Sequence, residues 1–141
     1  MTNQVTSIEQ SKRLLELGVP AEKANMVWVP DYKFNDRTRQ FIPTGDYQLT
    51  PKHRVYDVIE EKVISAFTVA DLIQIMPPDI PAVGEQNNDY ALTLSNSFCW
   101  NLRYENNHTH RYIGEKLEFD LVDLLCDRIE WLVSNGYKLA V

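Results

Sequence analysis

Glycine, cysteine, basic charge and long apolar runs are all scarce in this sequence, and each scarcity rules something out. The five glycines fall into none of the Gly-x-x-x-x-Gly-Lys, Gly-x-Gly-x-x-Gly or Gly-x-Ser-x-Gly patterns. No phosphate-cradling loop or strained nucleophile turn is therefore encoded in its familiar form. The two cysteines, Cys99 and Cys126, stand beside Phe98, Trp100 and Leu125, a setting in which thiols pack as small hydrophobes rather than form a disulfide framework. A reducing compartment follows. No apolar stretch approaches the roughly 20 residues of a membrane-spanning helix, and the polar opening "MTNQVTSIEQ" lacks the pattern of a signal peptide. A cytoplasmic protein without a membrane partner is expected. The net charge is −6, with the acidic excess confined to residues 51–141. General nucleic-acid binding is disfavoured by that balance, surviving only locally around Lys33, Arg37 and Arg39.

What is present is the composition of a globular chain. With 141 residues, 44% hydrophobic and 24% charged, the sequence predicts one domain over 1–141 that buries enough surface to need no staple. In "TSIEQSKRLLELG", Thr6 or Ser7 caps a helix, Glu9 or Gln10 completes a capping box, and Gly18 ends it. Pro20 opens a short turn, and Met26 to Val29 become extended. Residues 30–54 carry prolines and turn formers between short aromatic runs and are expected to be irregular or flexible, with a hairpin about Asn35 and Asp36 as one form. "RVYDVIEEKVIS" reads as part strand. Thr68 caps a helix with the stripe Val69, Leu72, Ile73 and Met76, ended by Pro77 and Pro78. "YALTL" and "FCWNLRY" alternate as strands. Val122, Leu125, Cys126, Ile129, Leu132 and Val133 mark a final helix from about Phe119 to Ser134, and "YKLAV" reads as a last strand. The sum is an α+β fold: a small, mainly antiparallel sheet covered on one side by about three helices.

The segments "SKRLLELGVPAEKANM", "FTVADLIQIMP" and "LVDLLCDRIEWLVSNGY" resemble those of small uncharacterised proteins of phages and integrated elements in Bacteroides-type bacteria. The likeness spans roughly a third of the chain and consists of helix and cap residues. It implies a mobile-element setting and carries over no activity and no catalytic residue.

The stretch "NNHTHRYIGEK" is the one place where chemistry can be suspected. In a strand, His108 and His110 share a face, and Glu115 follows at a spacing similar to half of the cupin metal motif. Leu102 and Val122 stand where that motif has glycines, and no histidine follows His110. The competing reading is a hairpin turning at Asn106 and Asn107. It pairs Glu105 with His108, Arg103 with His110 and Asn101 with Tyr112 on a wet face. Arg103 would then oppose a cation beside His110. The hairpin is the preferred reading; His108, His110 and Glu115 remain the metal candidates, and His53 is isolated.

Asp120, Asp123, Asp127 and Glu130 recur three or four residues apart on the last helix, a solvated face or a surface for a basic partner. Leu121, Leu124 and Trp131 widen that helix's apolar surface. Either a second layer covers them, or they mark a contact with another chain, most simply a homodimer. Leu124, Trp131, Asp120, Asp123, Asp127 and Glu130 are thus the candidate partner-binding residues. The expected function is a non-enzymatic interaction or accessory protein of a phage-like element, with a protein partner or itself, no cofactor and no nucleic acid. The alternative is a ligand- or metal-binding domain or enzyme using the His108, His110 and Glu105 region.

Overall fold

The computed structural model describes residues 4–54, 62–82 and 84–141. Its elements run α1 (Ile8–Glu16), β1 (Met26–Asn35), β2 (Gln40–Pro51), β3 (Ile64–Ala66), α2 (Val69–Ile75), β4 (Asp79–Ile80), β5 (Tyr90–Asn96), β6 (Trp100–Asn106), β7 (Tyr112–Glu118) and α3 (Leu121–Ser134). The strands form two sheets, ordered β2-β1-β3 and β4-β5-β6-β7, and every pairing is antiparallel. The fold is α+β, but its strands are divided between two sheets.

Caps place the helices. The Ser7 hydroxyl accepts from Gln10 N and the Gln10 carboxamide accepts from Ser7 N, closing a capping box on α1. Thr68 and Asp71 do the same for α2. Asp71 is also buried, and a carboxylate out of water costs several kcal/mol unless donors surround it. Here Thr68 N, Asn25 N and Asn25 Nδ2 surround it, fastening the start of β1 to α2. On α3, Asp120 caps by accepting from Asp123 N.

The core lies where α3 meets the four-stranded sheet. α3 touches β6 and β7 on one flank and α1 and α2 on another. Leu102 and Tyr104 of β6, Phe67, Leu72, Ile75 and Met76 around α2, and Val122, Leu124, Leu125, Ile129 and Leu132 of α3 are all buried there. The Tyr104 hydroxyl donates to the Pro77 carbonyl at 2.9 Å. Its burial, with Asp79 nearby, pushes its pKa well above the usual tyrosine value.

A second junction sits at β7. Gly114 has φ +65°, and a Cβ built there would lie 2.6 Å from the Trp131 ring. Only a residue without a side chain satisfies both the left-handed backbone and the ring pressed against it. The β6–β7 register shifts at this place, between Leu102 and Tyr104, as a bulge requires. Arg128 Nη1 donates to the Gly114 carbonyl at 3.0 Å.

Several expectations are corrected. Met26 to Val29 are extended as read. Residues 30–51, expected to be irregular or flexible or to turn about Asn35 and Asp36, take the hairpin form in long, regular strands β1–β2, whose register shifts only between Pro30 and Tyr32. Its prolines are accommodated because Pro43 and Pro51 lie on the edge strand and Pro30 borders the irregularity. "YKLAV" is not a strand; Ala140 N instead donates to Ile75 O at 2.7 Å. In α2 the inward positions are Leu72, Ile75 and Met76, while Ile73 is exposed. Residues 55–61 of the stretch read as part strand lie outside the described residues, and its end is β3.

Candidate functional site

The β1–β2 hairpin carries an apolar surface that, apart from the buried Val27, the core does not use. Alternation and register put Trp28, Pro30, Tyr32 and Phe34 opposite Leu49, Tyr47, Pro43 and Phe41 on one face. The other face carries Val27, Val29, Lys33 and Asn35 opposite Thr50, Gln48, Ile42 and Gln40. The ribbon is therefore amphipathic, with a nearly continuous aromatic and aliphatic stripe on one side. At its far end Phe34 and Phe41 meet with ring centroids 5.3 Å apart, and Phe41 is 71% exposed. Tyr47 and Leu49 are also exposed.

Local chemistry explains why the chain turns back where it does. The Asn35 carboxamide oxygen accepts from Arg37 N at 2.9 Å, Asn35 O accepts from Arg39 N at 2.8 Å, and Arg39 takes φ +54°. This is the turn role for which asparagine is suited. Midway, Gly45 has φ +88° and Asp46 N donates to the Thr44 hydroxyl, letting residues 44–46 bulge out without moving the stripe off its face. At the base, Trp28 Nε1 donates to Thr6 O at 2.9 Å, and β3 pairs with Met26 to Trp28. Beyond that base, among the described residues, both edges of the ribbon lack a neighbouring strand. Asp46 is the single charged side chain of β2. A bare two-stranded ribbon is marginal in water, and an edge without charges is a template for another chain.

The tip adds polarity. Lys33, Phe34, Asn35, Asp36, Arg37, Ile42, Pro43 and Thr44 line a recess of about 690 Å³. Among the described residues no ion pair involves Lys33, Arg37 or Arg39, whereas Arg13, Arg103 and Arg128 are each paired with a carboxylate.

The histidines lie elsewhere and in a different form from the expected one. The Asn106 carboxamide oxygen turns back to accept from His108 N at 2.8 Å and Thr109 N at 3.0 Å, while His110 N donates to Asn106 O. The connection is thus longer than two residues, and His110 takes φ +58°. Pairing resumes with Glu105 opposite Tyr112 and Tyr104 opposite Ile113, which corrects the expected partners of Glu105, Arg103 and Asn101. His108 and His110 are exposed in that turn. Glu115 and Glu105 both hold Arg103, at 3.3 and 3.0 Å, and Arg103 lies over the Tyr112 ring. Among the described residues no group of three or more His, Cys, Asp or Glu is placed to hold a metal.

The candidate partner surface on α3 is also corrected. Leu124 is fully buried, because α3 is packed on more than one flank. Trp131 is half-buried, stacked near Tyr137 and Arg128 and lying over Gly114. A second layer within the chain covers both. The acidic row is engaged internally: Asp120 caps the helix, Asp123 accepts from Gln10 Nε2, Asp127 pairs with Arg128, and Glu130 accepts from Arg13 at 2.5 Å. The Gln10–Asp123 and Arg13–Glu130 contacts tie α3 to α1, and Glu130 and Glu16 raise the pKa of Arg13. Burial, helped by Asp123, Asp120 and Asp127, pushes the Cys126 thiol up to about 12, so it is protonated and a poor nucleophile at neutral pH.

The signal for the arm was in the sequence: Trp28, Pro30, Tyr32 and Phe34, then Phe41, Pro43, Tyr47, Leu49 and Pro51, repeat with even spacing. No helix among the described residues is long and apolar enough to cross a membrane. The chain matches no protein-family model, no curated protein and no solved structure.

Proposed function

We propose that the chain is a non-enzymatic interaction or accessory protein, of the phage-like or mobile-element kind its sequence resembles, and that it holds a protein partner through the β1–β2 arm. The observation that carries this reading is the exposed row Phe34, Phe41, Tyr47 and Leu49, continued by half-buried Trp28, Pro30 and Tyr32, on a ribbon whose outer edges pair with no other strand among the described residues. Apolar area left in water is worth roughly 25 cal/mol per Å² to whatever covers it. A protein segment can cover the stripe and pair with the β2 edge at once. The buried and internally paired residues of α3 offer no comparable surface.

The test is comparative capture. Tagged protein and its F34S/F41S/L49S variant are recovered from a Bacteroides-type host with the element induced. A partner retained by the first and missing from the second is expected. The same set of proteins on both would sink the reading.

A further inference from the structure

Resting on the arm as the docking element, a narrower statement concerns what chemistry the partner brings to it. The arm tip concentrates Lys33, Arg37 and Arg39 against one carboxylate, Asp36, on a chain whose net charge is −6. In the body, Arg13 pairs with Glu16 and Glu130, Arg103 with Glu105 and Glu115, and Arg128 with Asp127. The tip cations have no such partner among the described residues; Lys33 and Arg37 line the recess together with Phe34, Ile42 and Pro43, and Arg39 stands in the adjoining turn. The tip stands roughly 30 Å along the strands from the arm's base, since a ten-residue strand rises about 3.3 Å per residue. That is several Debye lengths at physiological salt, so the acidic body does not neutralise it.

We propose that the tip receives carboxylates of an extended protein segment whose adjoining apolar side chains run down the stripe toward Trp28 and Leu49. A bulky apolar side chain enters the recess, carboxylates on either side meet Lys33, Arg37 and Arg39, and the segment's backbone pairs with the β2 edge that no described strand occupies. A nucleic acid would satisfy the cations as well, but it fits the rest poorly. Its phosphates would have to lie along Pro43, Tyr47 and Leu49, and it has no backbone donors and acceptors in strand register for β2. Three cations would also supply only a small part of the counterion release on which such binding depends.

The test uses a yeast-displayed random peptide library and, separately, a labelled random-sequence single-stranded oligonucleotide, each against the full chain and its K33Q/R37Q/R39Q variant. These substitutions are exposed and leave the strands' apolar stripe intact, and unchanged thermal unfolding verifies that. The expected result is enrichment of peptides in which Asp or Glu flanks an apolar residue, binding about tenfold more weakly to the variant, as three exposed charge pairs imply. Enrichment of peptides without carboxylates, no enrichment at all, or tighter binding of the oligonucleotide than of the selected peptides would each overturn the proposal. The outcomes separate from those of the parent reading. If host capture is lost in F34S/F41S/L49S but untouched in K33Q/R37Q/R39Q, the arm docks a neutral partner and only the acidic specificity fails.

Discussion

The body and the arm treat the same kinds of residue in opposite ways. In the body, apolar side chains gather into one cluster and Arg13, Arg103 and Arg128 pair with carboxylates: Leu124 and Ile129 are fully buried, and Arg103 sits between Glu105 and Glu115. Phe98 and Phe119 stay exposed against each other. In the arm, Phe34, Phe41, Tyr47 and Leu49 remain in contact with water, and Lys33, Arg37 and Arg39 pair with no carboxylate among the described residues. Edges differ as well. β7 at the rim of the four-stranded sheet carries Glu115, Lys116, Glu118 and a bulge, all of which discourage a further strand. β2 carries Asp46 alone. The difference teaches that the core is assembled from the body's elements, with Val27 alone of the two arm strands buried.

That contrast can be broken or sharpened by mutation. The largest loss should come from Leu124→Ala, about 2–5 kcal/mol in chemical unfolding, because a fully buried leucine leaves a cavity that its neighbours fill only in part. A loss below about 0.5 kcal/mol, the usual range for a surface site, would return Leu124 to the surface and revive the interface on α3. Gly114→Ala should cost about 1–3 kcal/mol, from the left-handed backbone and from the clash with the Trp131 ring. Trp131→Leu in the same chain should recover part of it, and strict additivity of the two changes would deny the contact.

Alkaline pH should act on the body more gently. The folded Cys126 thiol holds its proton up to about 12, whereas an unperturbed thiol releases it near 9.0. Between those values the native state binds more protons than the unfolded one. The associated stability is therefore complete below pH 9.0 and is lost as pH climbs toward 12. Cys126→Ala should flatten this part of the stability–pH curve; an unchanged slope would mean that the thiol is not sheltered. Smallest of all, Phe41→Ser should change the unfolding free energy by no more than about 0.5 kcal/mol, although it strips the arm tip. A drop comparable to that of Leu124→Ala would erase the distinction between the two regions.

The sequence was readable where signals were local and repeated. α3 declared itself through Val122, Leu125, Ile129 and Leu132 and stopped at Asn135–Gly136 as expected. The Ser7/Gln10 box, the Thr68 cap, and the alternation Tyr90, Leu92, Leu94 in β5 were equally local, whereas the part Asp71 plays in closing a second box was not read. The arm was obscured because Pro30, Pro43 and Pro51 look like interruptions, whereas an exposed ribbon edge tolerates a missing N–H. Residues 44–46 also break the even spacing that the stripe otherwise keeps. The histidine turn depended on which way the Asn106 carboxamide points, a choice no spacing rule encodes. Leu124 depended on how many neighbours α3 acquires, which is set by segments distant in the chain.

One small knot decides how the arm is mounted. Thr6 O accepts from the Trp28 indole, Thr6 N donates to Phe67 O, and the Thr6 hydroxyl accepts from Phe67 N. A single threonine near the beginning of the chain thus fastens the root of the hairpin to the strand and helix that follow it. Together with the clasp of Asn25 on the buried Asp71, this moors the protruding element to the hydrophobic interior at two points, Phe67 and the first turn of α2.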